Sequence, residues 1–320
     1  MWQPRASLSI LQTRARLYRL IRDFFDNRQL LEVEVPILGV GTCVEPYIDS
    51  LETVVNGERR FLQTSPEFCL KRLLAADIGP LYSLSKAFRD GEQGKLHSPE
   101  FTLLEWYRPG WDERQLMEEV ADLLALIFPS IPRVDYAYRD IFLTVIDIDP
   151  HIASVNELQQ AVELRIAIKL DPIKSEKQQR NRCLDLLMTH CIEPVLPEGL
   201  VFIYDYPSTQ STLAKIDVDN TGVKVTRRFE AYLTGIELAN GYWELTDPSE
   251  QLERFRNDQA FRRQQNLPPF PYDQQLIAAL ESGMPAAAGV ALGIDRLLMA
   301  MTGVKDIQAV LSFPTPNAQL

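Results

Sequence analysis

A polar loop between two β-rich runs carries an arginine and an aromatic residue that together suit a nucleotide. The first run covers residues 81–88 and is followed by Arg89, and Phe101 begins the second run, which reaches Trp106. A planar guanidinium can bind a phosphate through two hydrogen bonds, while an aromatic ring offers its face to a base. The pair therefore predicts a nucleotide site on a strand–loop–strand hairpin. The alternative is an exposed hairpin in which both residues are structural.

A second segment, GVALGIDR, predicts an anion site nearer the C-terminus. Gly289 and Gly293 punctuate a short strand and would let a ligand approach the backbone. Arg296 stands at the start of the helix that follows. A helix start and an arginine both favour a negatively charged group. A tight strand-to-helix junction with a surface arginine is the structural alternative.

A third segment, FEAYLTGIELANGYWELTD, carries Glu230, Glu237 and Glu244. If Asn240-Gly241 forms a two-residue type I′ turn, Glu237 faces Glu244 directly across the hairpin. Two like charges in that position destabilise a hairpin unless a cation lies beside them. Oxygen-only ligands favour Mg²⁺ or an amine over zinc. Carboxylates on a solvated strand are the alternative.

The first two of these glutamates can share a face only through an irregularity in the strand. Glu230 and Glu237 are an odd number of positions apart, and successive side chains of a strand point to opposite faces. A β-bulge, which we place at Gly235, would bring both carboxylates to one face.

The N-terminal segment predicts a long amphipathic helix and a dimer contact. Apolar residues recur at steps of three and four from Leu8 to Leu31, between charged residues. The following segment VEVPIL is extended, and Pro36 limits it to an edge strand or a strand start. An apolar helix beside an edge strand predicts a homodimer interface.

The remaining pattern predicts an α+β fold, with an antiparallel sheet flanked by helices. Residues 129–200 are weakly patterned and rich in charge and proline, so we interpret them as a peripheral insertion in a single domain spanning residues 1–320. Further helices are predicted over 66–76, 112–128, 248–265 and 273–282 and from Asp295 onward, and further strands over 61–63, 200–204, 224–238 and 289–294.

Composition narrows the function classes. The 320 residues are 46% apolar and 24% charged, which suits a globular fold. A formal net charge of -11 disfavours extensive contact with nucleic acid, which usually requires a basic face. The first twenty residues do not match a secretion signal, and no apolar run approaches the roughly 18 residues that span a bilayer. These features predict a cytoplasmic protein without membrane contact.

The four cysteines do not match a metal or redox motif. Cys43, Cys69, Cys183 and Cys191 lie at spacings unlike the C-x-x-C pattern. We expect four buried, unpaired thiols.

Taken in order, these segments resemble the three signature motifs of the class II aminoacyl-tRNA synthetases. The helix with Pro36 looks like motif 1, the hairpin of Arg89 and Phe101 like motif 2, and the segment ending at Arg296 like motif 3. Within that class, TSPEFCLKRLL, HSPEFTLLEWY, IELANGYWELTD and GVALGIDR look most like the lysyl-tRNA synthetases. The resemblance covers roughly residues 8–313 and implies the class II catalytic fold.

The resemblance also implies site residues, with ATP and Mg²⁺ as cofactors. Arg89 would bind the α-phosphate and the substrate carboxylate, Phe101 would stack on adenine, and His97 and Arg296 would reach the outer phosphates, so Arg89 and Arg296 are the expected catalytic residues. Glu230 and Glu237 would hold Mg²⁺. The other positions matching the ATP site are Asp90, Gly91, Ser98, Leu238 and Gly293. Those matching the amino-acid site are Ser65, Pro66, Glu67, Glu105, Tyr107, Asn240, Glu244 and Ala291.

Three positions depart from the lysyl-tRNA synthetases. Asp90-Gly91 replaces the usual Asn-Glu after the motif 2 arginine, so that Glu92 would have to substitute for the missing glutamate. Ser98 replaces a frequent asparagine. Ala291 stands where those enzymes usually have glycine, which would alter the amino-acid pocket.

The chain also begins its motif 1 helix almost at residue 8, without the anticodon-binding domain that precedes it in lysyl-tRNA synthetases. A short acidic core with alanine at that glycine position resembles the elongation factor P-(R)-β-lysine ligases. That resemblance implies activation of (R)-β-lysine or lysine, with elongation factor P as acceptor and without tRNA. The alternatives are a truncated lysyl-tRNA synthetase relative acting on RNA, a ligase with a small-molecule acceptor, and a non-catalytic paralogue.

Overall fold

A computed structural model describes residues 3–314, which divide into two compact units. Of the described residues, unit 1 comprises 3–111 and 246–314, and unit 2 comprises Asp112–Leu245. A single domain spanning residues 1–320, with a peripheral insertion at 129–200, stays a prediction. Residues 1–2 and 315–320 of that span lie outside the described residues.

The elements are numbered along the chain. The helices are α1 (Leu8–Asp26), α2 (Glu67–Ala75), α3 (Glu113–Ile127), α4 (Tyr138–Ile146), α5 (Val155–Ile166), α6 (Glu176–Leu187), α7 (Pro248–Gln264), α8 (Gln274–Glu281) and α9 (Ile294–Thr302). The strands are β1 (Leu31–Glu32), β2 (Leu38–Gly39), β3 (Glu52–Val55), β4 (Glu58–Leu62), β5 (Leu81–Phe88), β6 (Glu100–Pro109), β7 (Arg133–Ala137), β8 (Leu200–Pro207), β9 (Ile216–Val218), β10 (Lys224–Leu233), β11 (Ile236–Trp243) and β12 (Ala287–Gly293).

Unit 1 is built on four strands in the order β1-β5-β6-β12, beside a small sheet in the order β2-β4-β3. The pairs β5–β6 and β6–β12 are antiparallel, and β1 runs parallel to β5. Helix α1 packs its apolar stripe into this unit, where the ring of Phe25 stacks on Tyr82 at 4.6 Å between centroids and lies 5.3 Å from Trp106. The sheet thereby holds the motif 2 hairpin and the motif 3 strand side by side.

The motif 1 region differs in detail from its prediction. Ser7 caps α1 by accepting a hydrogen bond from the amide of Ile10, and the helix ends at Asp26 rather than near Leu31. The extended segment forms only the two-residue strand β1, and Pro36 lies between β1 and β2. Proline cannot donate a ladder hydrogen bond, so pairing stops before it. The predicted edge strand is therefore shorter than the extended segment.

Unit 2 has strands in the order β11-β10-β8-β7, with β9 paired to β10. Only β7–β8 is parallel among these pairs. Helices α4, α5 and α6 fill the 129–200 region and share an apolar cluster with β8, which includes Phe142, Leu158, Leu184 and Val201. Residues 129–200 thus share an apolar core with the sheet of unit 2. The predicted α+β fold, with a mainly antiparallel sheet and flanking helices, is confirmed.

The hairpin of β10 and β11 turns at a different place from the one predicted. Its turn residues are Thr234 and Gly235, with φ of 50° and 77°, and both positive angles are those that a type I′ turn requires. Asn240-Gly241 lies inside β11. The predicted Asn-Gly turn is wrong, and one strand predicted over 224–238 is two. The predicted bulge exists, but it falls opposite Ala231 and Tyr232 rather than at Gly235.

The prediction of four buried, unpaired thiols is confirmed only in part, because the thiols are unpaired but only two of them are buried. All four cysteines are free thiols; Cys43 and Cys183 are buried, whereas Cys69 and Cys191 are only partly so. Within residues 3–314, the helices are too short or too polar to cross a bilayer.

Candidate active site

The motif 2 hairpin of unit 1 places Arg89 against Phe101. Phe88 and Glu100 are the last ladder pair of β5 and β6, and the amide of Arg89 donates to the carbonyl of Pro99 at 3.0 Å. The guanidinium then lies 5.2 Å from the centroid of the Phe101 ring. The two residues that predicted a nucleotide site are therefore neighbours, with a cation and an aromatic face on one surface.

The loop after Arg89 shows how Asp90-Gly91 is accommodated. Gly91 has φ of 75°, a left-handed conformation that favours glycine, and its amide donates to the Asp90 carboxylate at 2.9 Å. The amide of Asp90 donates to the carbonyl of Asp49 at 2.8 Å, which fixes the loop to the preceding segment. Glu92 turns back so that its carboxylate lies 3.4 Å from the Arg89 guanidinium. A glutamate is thus present beside the arginine, supplied from one position further along.

His97 and Arg296 come together although they are far apart in sequence. The Nη2 atom of Arg296 lies 2.9 Å from Nε2 of His97. Because arginine can only donate, this contact requires an unprotonated Nε2 and hence a neutral imidazole. Desolvation by the surrounding protein and the Arg296 charge lower the pKa of His97. The pair forms a group of hydrogen-bond donors and positive charge suited to an anion, and Ser98 next to it is buried.

Asp295 is a residue that sequence reasoning missed. Its Oδ1 atom accepts from Arg14 of α1 at 2.5 Å, and its Oδ2 atom accepts from the amide of Thr102 on β6 at 2.7 Å. The buried carboxylate therefore ties the start of α9 to α1 and to the motif 2 strand, which positions Gly293 and Arg296 on either side of it. The sequence signal was an acidic residue next to Arg296 in the first turn of a mainly apolar helix.

The predicted amino-acid residues of unit 1 form a connected group. Ser65 donates to Oε1 of the buried Glu105 at 2.6 Å and accepts from the amide of Glu67 at 3.0 Å. Pro66 lies at the N-cap position of α2, and Glu67 pairs with the buried Lys71 at 2.6 Å. Ser65 thus links the Glu105 carboxylate of β6, which suits a substrate ammonium group, to the start of α2, where the Glu67 carboxylate is paired with Lys71.

The register of β6 and β12 adds two further residues to that group. Ala291 is the direct partner of Glu105, and Gly289 is the direct partner of Tyr107. Directly paired residues of an antiparallel ladder project to the same face, with Cβ atoms about 5 Å apart. The face therefore presents a carboxylate and a phenol on β6 next to very small side chains on β12. Ala291 is the larger of those two.

In unit 2, one face of the β10–β11 hairpin is polar. The cross-strand pairs are Arg228 with Tyr242, Glu230 with Asn240, and Tyr232 with Glu237. We call these six residues the hairpin polar face. The bulge shifts the register by one position, so Glu230 and Glu237 lie on one face despite their odd separation, as the sequence analysis required.

Arg228, also missed by sequence reasoning, is the cation of this face. Its Nη2 atom pairs with Oε1 of Glu230, and its Nε donates to Oδ1 of Asn240 at 3.3 Å. The other carboxylate oxygen of Glu230 accepts from the hydroxyl of Tyr232 at 2.5 Å. Burial and Glu230 raise the pKa of Tyr232, which keeps that hydroxyl protonated. The sequence signal was an arginine two positions before Glu230 on the same strand face.

Glu244 takes a position different from the one that the predicted turn implied. Glu244 follows β11 and forms a bridge with Ala214, so it does not face Glu237 across a hairpin. Glu244 is buried, at 2% exposure. Because side chains alternate along a strand, it lies on the same face as Asn240 and Tyr242. Leu238 is also buried, at the bulge.

Comparison with known proteins decides the family. The profile described as "tRNA synthetases class II (D, K and N)" matches residues 2–317. The chain belongs to this family. It is 44% identical over 324 residues to the elongation factor P-(R)-β-lysine ligase of Vibrio vulnificus, covering 99% of each chain. The ligases of the same name from Vibrio parahaemolyticus and Proteus mirabilis are 42% and 41% identical, with 99% of this chain and 99% and 98% of theirs covered.

As a class II synthetase family member, the chain presents two groups of candidate residues, one in each unit. Unit 1 holds the cationic and aromatic group of Arg89, Phe101, His97 and Arg296 together with the Ser65–Glu105 arrangement. Unit 2 holds the hairpin polar face and Glu244. Among residues 3–314, His, Cys, Asp and Glu side chains do not form a group of three or more that could hold a metal ion.

Proposed function

We propose that this protein activates (R)-β-lysine with ATP and transfers it to a lysine side chain of elongation factor P. The observation that supports this is whole-length identity of 41 to 44% to ligases named for that reaction. An alanine at position 291, beside Glu105, agrees with an amino acid that differs from α-lysine near its carboxylate end.

The ATP roles rest on the cationic groups of unit 1. The guanidinium of Arg89 binds the α-phosphate and the amino-acid carboxylate, while Phe101 stacks on adenine. His97 and Arg296 bind the outer phosphates, and their 2.9 Å contact holds the imidazole and the guanidinium charge together. Asp90, Gly91, Ser98, Leu238 and Gly293 complete the proposed nucleotide site.

The amino-acid roles rest on carboxylates. A buried ammonium group needs several acceptors, since an unpaired charge is costly to desolvate. Glu67, Glu105 and Glu244 supply negative charge, and Tyr107 and Asn240 supply neutral hydrogen-bonding groups. Ser65 orients the Glu105 carboxylate, Pro66 precedes Glu67 at the start of α2, and Ala291 limits the room beside Glu105.

Two carboxylates on one strand face also fit Mg²⁺. This ion prefers oxygen ligands and binds proteins through one or two carboxylates plus substrate phosphates. Glu230 and Glu237 share the hairpin polar face, and a carboxylate oxygen has lone pairs beyond the one that each contact uses. When bound, the ion would supply positive charge to the phosphates.

The proposed reaction has two steps. The carboxylate of the amino acid attacks the α-phosphorus, a bond to oxygen forms, and pyrophosphate leaves with its electron pair. Arg89 stabilises the charge that develops on the α-phosphate. An ε-amino group then attacks the carbonyl carbon of the adenylate, AMP leaves, and the nitrogen loses a proton as the amide forms. Neither step needs a protein nucleophile. The protein therefore supplies much of the rate enhancement by positioning the reacting groups.

One incubation tests the proposal. The protein, ATP and (R)-β-lysine are mixed with elongation factor P, and intact mass is measured for the acceptor and for total tRNA treated in parallel. We expect one lysyl increment on the factor and none after its amines are methylated. A labelled tRNA would favour the truncated synthetase, AMP formed with neither acceptor would favour a small-molecule acceptor, and no ATP turnover would favour a non-catalytic paralogue. A homodimer and a cytoplasmic location remain parts of the proposal.

A further inference from the structure

Arg228 has contacts that connect two proposed functions of unit 2. It pairs with Glu230, a proposed metal ligand, and hydrogen-bonds Asn240, a proposed ligand of the amino acid. Its guanidinium also lies over the ring of Tyr206 at 4.5 Å and 6.0 Å from the centroid of Tyr242. Its side chain is 16% exposed, so water screens these interactions poorly.

The orientation of the Asn240 side-chain amide follows from its hydrogen bond with Arg228. Arginine offers only donors, so the side-chain oxygen of Asn240 must face Arg228. The amide nitrogen of Asn240 then donates to the hydroxyl of Tyr242 at 3.1 Å. Arg228 therefore holds both Glu230 and Asn240, which are direct partners across the hairpin.

We infer that Arg228 is a resident cation that offsets the charge of Glu230 and Glu237, so that this face takes up a divalent cation together with a nucleotide and only weakly without one. The inference rests on the proposed assignment of Mg²⁺ to these two glutamates. It makes Arg228 a positioning residue that also sets the order in which the ion and the phosphates bind.

The charges on the face explain the preference. Glu230 and Glu237 carry two negative charges, which Arg228 reduces to one. A bare divalent ion is attracted less strongly by the reduced charge, and it is repelled by the nearby guanidinium. A nucleotide–metal complex is negatively charged overall, so the same guanidinium attracts it. Removing Arg228 should therefore strengthen binding of the bare divalent ion and weaken binding of the nucleotide–metal complex.

This opposite response separates the inference from a purely structural role. A residue that merely supports the hairpin would, on removal, weaken the binding of both the ion and the nucleotide complex. Loss of Arg228 here should improve the binding of the ion alone. A gain of affinity is not the result of a damaged fold.

The test uses Mn²⁺ as a spectroscopic substitute for Mg²⁺. Electron paramagnetic resonance measures Mn²⁺ binding to the nucleotide-free protein, and calorimetry measures binding of Mg²⁺ with a non-hydrolysable ATP analogue. In Arg228→Gln, we expect Mn²⁺ affinity to rise and affinity for the nucleotide complex to fall, each on the order of tenfold. Arg228→Lys keeps the charge, so its Mn²⁺ affinity should stay close to wild type.

A double variant identifies the site of the gain. Adding Glu230→Gln to Arg228→Gln should abolish the increase in Mn²⁺ affinity, because one of the two carboxylate charges left uncompensated by the loss of Arg228 is removed. A folded Arg228→Gln protein that binds Mn²⁺ no better than wild type would overturn the inference, as would a gain that survives in the double variant.

A second single variant decides the matter if Arg228→Gln does not fold. In Glu230→Gln the face loses one negative charge and only Glu237 offsets Arg228, so ATP in the presence of a chelator should bind more tightly, on the order of tenfold. Unchanged or weaker binding would contradict the inference. These titrations need no turnover, so a protein that fails to ligate β-lysine but shows the opposite shifts would refute the proposed function alone.

Discussion

Ala291 and Glu105 are direct partners across the antiparallel ladder of β12 and β6. Their side chains project to the same face, so the methyl group of Ala291 lies beside a carboxylate that also accepts a hydrogen bond from Ser65. The size of residue 291 therefore sets the room next to a proposed ammonium ligand. This relationship makes the choice of amino acid testable with a single methyl group.

Ala291→Gly should shift preference from (R)-β-lysine toward α-lysine. Removing one methyl from a pocket changes discrimination by only about 1 to 3 kcal/mol, so the ratio of kcat/KM values should change by roughly 10- to 200-fold at most. Adenylate formation with both isomers measures the ratio. Ala288→Gly is the matched control, since residue 288 makes the same change in β12 but points to the other face. A wild-type preference for α-lysine that Ala291→Gly leaves unchanged would refute the β-lysine assignment.

Glu244→Gln should raise KM for lysine-like substrates and leave ATP binding nearly unchanged. Glu244 is buried, and removing the charge partner of a buried ammonium costs a few kcal/mol. Steady-state adenylation measures KM, and calorimetry with an ATP analogue checks the nucleotide. Glu253→Gln, on the exposed side of α7, is the control. If Glu244→Gln is silent, this residue does not bind the amino acid.

Arg89→Ala and Glu237→Ala should each suppress pyrophosphate exchange by on the order of a hundredfold or more. Each removes a charge that stabilises the transition state, whereas the fold should persist because both side chains are partly exposed. Arg256→Ala, an exposed arginine of α7, should retain wild-type exchange. Circular dichroism establishes that the variants are folded. Full exchange in either site variant would mean that the nucleotide binds elsewhere.

Nucleotide affinity should rise as pH falls, because of His97. Desolvation and Arg296 hold its pKa below the ordinary 6.5 in the free protein, and a bound polyphosphate would raise it. If the pKa of His97 is higher in the nucleotide complex than in the free protein, nucleotide affinity does not depend on pH above the pKa of the complex. As pH falls through that pKa, the affinity increases. Calorimetry between about pH 5.5 and 8 measures the slope. His97→Asn should remove it, and an unchanged slope in that variant would exclude His97 from the phosphate site.

The chain should form a homodimer through the motif 1 region. Leu31, Leu38 and Val40 are 53%, 44% and 63% exposed, which leaves apolar surface on unit 1 near the short strand β1. Light scattering at micromolar concentration should give about twice the 36.5 kDa chain mass. The double variant Leu38→Asp, Val40→Asp should give the chain mass, whereas Leu164→Asp in unit 2, 84% exposed in the wild type, should not change it. A monomeric wild type would remove the motif 1 region from this role.

The sequence by itself determined the family, the α+β class and the residues proposed to do chemistry. These depend on short segments whose residue types, order and spacing lie within the chain: Arg89 and Phe101 flank one loop, and Gly293 and Arg296 flank one junction. Local strand alternation even required the bulge that brings Glu230 and Glu237 to one face.

The tertiary structure alone decided the turn of the β10–β11 hairpin and the supporting charges. Asn240-Gly241 has strong local turn propensity, but pairing over the length of both strands outweighs the preference of two residues, so the chain turns at Thr234-Gly235. Asp295 is separated from Thr102 by 193 positions and from Arg14 by 281. Contacts over such distances arise only when the sheet and helices have packed, since sequence spacing carries no information about which distant groups meet.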